Sequence, residues 1–354
     1  MEASRDSMTF IVNQWYGAIW SQDLGDAPVA RRLLGKPIVL FRTDDGVAAL
    51  ADVCPHRFVP LHLGKVVDGR AIRCGYHGLE FDRTGACVRN PHNAGRIPPA
   101  AKVESHQVAE RHGMVWIWMG ERDADPSLIP DYSFLDSADP QHISARDHLE
   151  IRSNYRIVVE NLLDLSHASI LHDGILGNDE ALKAESEVEE QDGDLTVRRY
   201  MRDIPAPLLL DLLYKGDGSR VDHWADIRLM GVSNLLNTVG IAEPHTGRGP
   251  HGTGMRGAHI LTPIDDATTL YQFCAVRMNP IAHDPERDAE IRDQLSRVRK
   301  MAFAEQDGPM MEAQQRLIQD PAVDTSRPAL FDIDLGASRF ARRHDKMLKA
   351  DVSA

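Results

Sequence analysis

The sequence predicts a protein of two domains, all-β at its N-terminal end and α+β beyond, the second built as an antiparallel sheet flanked by helices. Three observations carry this. Residues 37–118 read as short β-branched and aromatic runs broken by Asp-Gly, Thr-Gly and Pro-rich turns. Residues 120–142, GERDADPSLIPDYSFLDSADPQH, are rich in Asp and Pro and have no hydrophobic period, so they read as a linker. Beyond it, strand-like runs are bracketed by helical patterns, with no internal repeat. The expected domains are therefore 1–142, the linker closing the first, and 143–354.

The first domain takes its strands from PIVLFRTDDGVAALADVCPH, AIRCGYHGLEFDRTGACV and GMVWIW. The second opens on a strand-like piece, followed by NYRIVVENLLDLSHASILHDGIL, whose apolar positions recur at helical spacing. LTVRRYMRD, VDHWADIRLM, SNLLNTVGIAEP, GAHILTPID and TTLYQFCAVRM read as strands. A helix from about Pro285 carries AEIRDQLSRVRKMAFAEQ, and an amphipathic run ends the chain. GRGPHG at 247–252 fits the dinucleotide fingerprint but leads into a strand, whereas that motif must open a helix. A hairpin loop, and no NAD(P)H site on this chain, is the expectation.

Composition narrows the function. The 354 residues are 42% hydrophobic and 26% charged, and no run approaches the ~18 consecutive apolar residues of a membrane helix. The opening MEASRDSMTFIVNQWYG lacks the basic and apolar regions of a secretory signal, so a cytoplasmic, membrane-free protein is expected. A net charge of -13 argues against general nucleic-acid binding. Locally the sign reverses, with eight Lys and Arg against three Asp and Glu from Cys54 to Lys102. That stretch is either a solvated face or a docking patch for an acidic redox partner.

Four cysteines are too few for a disulfide scaffold, and in a reducing compartment clustered Cys and His point to a metal. Cys54 and His56 are followed, seventeen residues on, by Cys74 and His77. A zinc finger groups its two cysteines and then its two histidines. Here each loop supplies one of each, which suits a [2Fe-2S] cluster with two thiolates on one iron and two neutral imidazoles on the other, the Rieske type. Gly75 and Gly78 allow a tight loop whose amides can approach the cluster. His62 reads as packing, and Cys87 and Cys274 as small hydrophobes.

A second constellation lies in ENLLDLSHASILH. Asn161, Asp164, His167 and His172 are spaced 3, 3 and 5 within an apolar run, and each would need a buried partner. The first three roughly share a helix face. His172 does not, since five residues turn a helix by about 500°, so a break or π-like turn is expected between the histidines. Two histidines with one carboxylate would form the facial triad of non-heme Fe(II) oxygenases.

CPHR and CGYHG resemble the Rieske motif of the ring-hydroxylating and dealkylating oxygenases. The resemblance runs over nearly the whole chain and is strongest to the vanillate demethylase and dicamba monooxygenase group. It implies a helix-grip catalytic domain of the oxygenase alpha-subunit type and one chain type arranged as a homotrimeric ring. It makes Asp307, in AFAEQDGPMMEAQQ, the third Fe(II) ligand beside His167 and His172, with Glu305 the alternative. It makes Asp164 the carboxylate that links His77 of one subunit to His167 of the next. Asn161, Asn237, His259 and Val298 fall in the substrate pocket, Val298 where the dicamba enzyme's pattern has tryptophan. The implied function is a terminal oxygenase that takes electrons from NADH through a separate flavin reductase, a ferredoxin or both. With O2 it would O-demethylate or N-dealkylate a small aromatic substrate. Ring or benzylic hydroxylation by the same irons is the alternative within the family, and a Rieske electron carrier the alternative outside catalysis.

Overall fold

The computed structural model describes residues 10–352 apart from 185, 250, 251, 282 and 283. It divides into two units, one running to Ile129 and taking in Thr262–Asp266, the other holding Pro130–Leu261 and the chain from Ala267 onward.

The first unit is all β, as expected. Its strands are β1 (Gln14–Trp20), β2 (Val29–Leu33), β3 (Lys36–Thr43), β4 (Gly46–Ala51), β5 (Lys65–Val67), β6 (Ala71–Arg73), β7 (Glu80–Asp82), β8 (Cys87–Arg89), β9 (Ser105–His106), β10 (Val108–Arg111) and β11 (Met114–Met119). They form three sheets, ordered β1-β11-β10, β2-β3-β4-β9 and β5-β6-β7-β8. Val39, Phe41, Leu50, Leu61, Ile72 and Phe81 pack into one core that also contains Cys54 and Cys74. The paired thiols are thus part of the hydrophobic core that orders the unit.

The second unit is α+β. Its strands are β12 (Asp147–Ile151), β13 (Ser186–Gln191), β14 (Asp194–Pro205), β15 (Arg220–Met230), β16 (Asn234–Ala242), β17 (Thr253–Asp265) and β18 (Thr268–Met278), in one sheet ordered β12-β18-β17-β16-β15-β14-β13. The helices are α1 (Tyr155–Leu163), α2 (Leu208–Asp211), α3 (Pro285–Met301), α4 (Gly308–Gln319) and α5 (Leu335–Val352), with a π-helical turn, Ala302–Asp307, joining α3 to α4. α1 starts where the Asn154 side chain accepts from Arg156 N–H, an N-cap. Its Ile157, Val158 and Leu163 pack on Leu195 and Val197 of β14 and Ile227 and Leu229 of β15, together with Phe303, Met311 and Phe340. Because side chains alternate along a strand, Arg199 and Met201, His223 and Ala225, and Asn237 and Val239 emerge on that same sheet face. One face therefore closes a core at one end and lines a cavity farther along.

Two expectations need correcting. Residues 130–142 belong with the second unit and are held closely, because Tyr132 and Leu135 are buried and the Tyr132 hydroxyl is shared between the carbonyls of Leu235 (3.1 Å) and His259 (3.2 Å). The stretch read as a linker has structure of its own, with 3-10 turns at Pro126–Leu128, Ser133–Leu135 and Pro140–His142, two of them capped by Asp125 and Asp139. The helix over Asn161 to His172 already stops at Leu163, where Asp164 turns extended, and the short 3-10 turn His167–Ser169 ends before His172, so the chain breaks before His167 as well as between the histidines. The GRGPHG loop does join two strands, β16 and β17, although its Pro250 and His251 lie outside the described residues. Among the described residues no helix is long and apolar enough to cross a membrane.

Tyr132→Phe removes one buried donor shared by two carbonyls and should lower stability by about 1–2 kcal/mol. A shift of the urea midpoint at unchanged slope is the measurement that checks this.

Candidate metal centres

The two Cys-His loops are built on one hydrogen-bond frame. In the first, Phe58 N–H donates to Cys54 O (2.9 Å) and Cys54 N–H to Val59 O (2.9 Å). In the second, Gly78 N–H donates to Cys74 O (3.0 Å) and Cys74 N–H to Leu79 O (2.8 Å). The closing residue needs a left-handed backbone in both, with φ 59° at Phe58 and 71° at Gly78. Glycine takes that conformation freely, and phenylalanine adopts it at a cost of about 1–2 kcal/mol. Gly75 serves close approach, since a Cβ there would lie 2.7 Å from Leu63 O.

Both thiols are 2% exposed and neither is in a disulfide, whereas the His56 and His77 rings stand 4.4 Å apart between centroids. Burial and the neighbouring Cys74 push the Cys54 thiol up to about 11, so a thiolate here requires a cation. Two buried sulfurs and two adjacent imidazoles therefore fit a Rieske-type cluster. Arg73 and Arg89 both donate to Glu80 at 2.8 Å, tying β6, β7 and β8 beside the second loop. His62 is not packing. Its Nδ1 and its backbone N–H both bond to the Asp52 carboxylate just before the first loop.

The second centre gathers His167, His172 and Asp307, whose ligand atoms all lie within 4.8 Å of one another. Asp307 Oδ1 is 3.4 Å from His167 Nε2 and 3.3 Å from His172 Nε2. The π turn delivers the carboxylate. Pro309 lacks an N–H, and Gly308 N–H reaches back five residues to Phe303 O, which widens the turn and brings Asp307 inward. Asp307 is 2% exposed while Glu305, the alternative third ligand, is exposed, so the geometry favours Asp307. His172 Nδ1 donates to Gln306 Oε1 (2.8 Å), which leaves Nε2 as the lone-pair nitrogen on the Asp307 side. Burial pulls His172 down but the Asp307 carboxylate, which favours a proton on Nε2, more than reverses this, whereas burial keeps His167 below its usual range. A buried carboxylate facing at least one neutral imidazole lacks a full counter-charge, and two imidazoles with one carboxylate suit a facial divalent site.

The other expected residues divide. Asn161 Nδ2 donates to Asp307 Oδ1 (3.2 Å) and so supports the carboxylate. Asp164 Oδ2 lies 3.9 Å from His167 Nδ1, a buried nitrogen without a partner, while its Oδ1 accepts from Ser166 N–H and Oγ. A cavity of about 130 Å³ opens on all three donor residues and is lined as well by Asn161, Asn237 and His259. Val298, expected in the pocket, does not line it. It packs against the apolar cluster of Leu209, Leu210, Ile291 and Leu295, of which Leu209 and Leu210 themselves line the cavity, so it stands one layer behind the wall. Arg299, the next residue, lines the cavity instead. Neither it nor Gln306 was singled out in the sequence, since a charged or amide residue in a helix ordinarily reads as solvated.

Gln306→Met removes the acceptor that sets the His172 tautomer. Affinity of the three-residue site for Fe(II) or Co(II), read by equilibrium dialysis, should fall about 10- to 100-fold while the thiol pair keeps its own metal.

Comparison with known proteins bears on both centres. Residues 14–107 match the Rieske [2Fe-2S] domain, and residues 151–350 match the vanillate O-demethylase oxygenase C-terminal domain. The chain is 36% identical over 348 residues to the dicamba O-demethylase oxygenase component of Stenotrophomonas maltophilia, covering 98% of this chain and 100% of that one. It is 33% identical to the chloroacetanilide N-alkylformylase oxygenase component of Rhizorhabdus wittichii, covering 97% of each. The crystal structure of dicamba monooxygenase bound to dicamba superposes with a TM-score of 0.88 at 34% identity, covering 98% of this chain and 99% of that one. The likeness thus spans both units from end to end, and the chain belongs to the family of Rieske oxygenase components that includes the vanillate and dicamba O-demethylases.

Proposed function

We propose that the chain is the terminal oxygenase of a multicomponent monooxygenase, removing an O-methyl or N-alkyl group from a substituted aromatic compound. The observation that carries this is the cavity of about 130 Å³ open to His167, His172 and Asp307. Cavities on the order of 150 Å³ hold a benzene ring, so a small aromatic can lie beside the donor set. An electron carrier would have no use for such a second set.

Held by those three residues, a ferrous ion would supply O2 activation with electrons from a [2Fe-2S] cluster on Cys54, His56, Cys74 and His77. The protein's own part is placement. Leu162, Leu165, Leu209, Met255 and Phe303 give apolar walls that exclude water and fix the substrate ring. Asn161 and Gln306 hold Asp307 and His172 in register. Asn237 and His259, whose Oδ1 and Nε2 are buried without partners, are the polar contacts we assign to the substrate.

Electrons reach the cluster from a separate flavin reductase that draws on NADH, directly or through a ferredoxin, and the oxygenase works as a ring of three identical chains. Within that ring we assign Asp164 the link between His77 of one subunit and His167 of the next. Its carboxylate is about a third exposed, with Oδ1 held by Ser166 and Oδ2 facing the unpartnered Nδ1 of His167, so a second imidazole would share Oδ2.

Oxidising the alkyl carbon releases it as an aldehyde. Screening methoxybenzoates, phenylureas and chloroacetanilides with a generic reductase for aldehyde release therefore tests the reaction; a hydroxylated product without aldehyde would establish ring or benzylic hydroxylation instead. Purified protein should be red-brown, and Cys74→Ala should remove the colour while leaving one mononuclear iron per chain by metal analysis. Asp164→Asn should retain both centres and slow turnover at least ~10-fold. In verified mixed trimers, Cys74→Ala and His167→Ala chains, each inactive alone, should regain part of the activity; no recovery would remove the link between subunits.

A further inference from the structure

Arg299 stands apart from the other buried arginines. Arg199 donates to the carbonyls of Leu165, Ala181 and Ala184, and Arg277 donates to Asp288 at 2.6 Å. Arg299 is as deeply withdrawn, 5% exposed, yet its hydrogen bond runs from Nη1 to Ser144 Oγ at 3.4 Å. Among the described residues no carboxylate lies within ion-pair distance of it. Its guanidinium rests on Phe273 and Phe303, 5.5 and 5.7 Å from the ring centroids, which offsets only part of the cost of holding a charge out of water.

Its neighbours in the cavity are equally under-used. A Cβ on Gly257 would lie 3.0 Å from His259 Nε2, 3.3 Å from Arg299 Nη2 and 3.6 Å from Asn237 Cβ, so three polar side chains converge where β17 carries no side chain. His259 Nδ1 is 2.5 Å from the Tyr271 hydroxyl, and its Nε2, buried without a partner, faces the same place. Burial, reinforced by Arg299, holds His259 well below its usual pKa, which keeps the ring neutral and leaves Arg299 the charge of the cluster.

Resting on the dealkylase reading, we infer that Arg299 is the specificity-determining residue of this enzyme: it selects aromatic substrates that carry a carboxylate or sulfonate and pairs with that oxyanion beside His259 and Asn237. A planar guanidinium matches either oxyanion through two donors. A neutral anilide or urea would leave the buried charge unpaired, which discriminates against it.

Calorimetric titration of the anaerobic holoenzyme with 2-methoxybenzoate, 2-methoxybenzenesulfonate and methyl 2-methoxybenzoate tests this. At least one of the two anions should bind roughly tenfold or more tighter than the ester, about the worth of one charge-assisted hydrogen bond, and the tighter one identifies the oxyanion. In Arg299→Gln the preference should fall below about threefold, and in Arg299→Lys part of it should return. Equal affinity for anion and ester in the unmodified enzyme, no binding of any of the three at millimolar concentration, or an undiminished preference in a folded Arg299→Gln protein would overturn the inference; if that variant does not fold, the comparison in the unmodified enzyme decides. Aldehyde release from the neutral ether as efficient as from the anion would remove the role of Arg299 and leave dealkylation standing. Intact anion preference with no aldehyde from any ether would do the reverse.

Discussion

A carboxylate almost wholly out of water, held against two imidazole nitrogens, sets the terms for the second unit. Left without a cation, Asp307 would be a liability in a hydrophobic interior. The local structure is arranged around accepting that cost. α1 ends early so that His167 and His172 sit on short turns and not on a regular helix, and the join between α3 and α4 is widened into a π turn that aims Asp307 at them. Asn161 and Gln306 then brace the carboxylate and one imidazole, one from each side of the site.

The first unit solves a related problem by repetition. CPHRF and CGYHG differ in sequence, yet each closes through the same pair of backbone bonds, so that two thiols lie in the core and two imidazoles stand side by side. The core around Cys54 and Cys74 has two effects at once: its packing orders the sheets, and its low polarity raises the Cys54 thiol, so that a thiolate there calls for a neighbouring cation.

Much of this was legible in the sequence, for identifiable reasons. Two Cys-His pairs in short turns and two histidines set in an apolar run are patterns that packing alone does not call for, so Cys54, His56, Cys74, His77, His167 and His172 stood out by residue type and spacing. Strands with a buried face announced themselves by their apolar runs. Less visible were elements whose placement depends on partners far along the chain. β13, SEVEEQ, has too little apolar character to read as a strand and exists because β14 offers it a hydrogen-bonding edge. Tyr132 looked like part of a linker because its anchoring carbonyls belong to Leu235 and His259, more than a hundred residues away. Arg299 and Val298 are adjacent on one helix, and only the rotation of α3 decides that the arginine and not the valine meets the cavity. Phe58 in a left-handed conformation is the same lesson at the level of one residue, since glycine would have been expected there.

The acidic strand β13 also bears on how the protein behaves in a crowded solution. It forms one border of the seven-stranded sheet, where unpaired backbone groups can recruit a strand from another molecule. Glu187, Glu189 and Glu190 lie exposed along this short strand, Glu189 paired with Arg198 and Glu190 with Arg339. A second copy approaching edge to edge would have to strip water from this row of charged side chains, a cost that protects the border the fold leaves open.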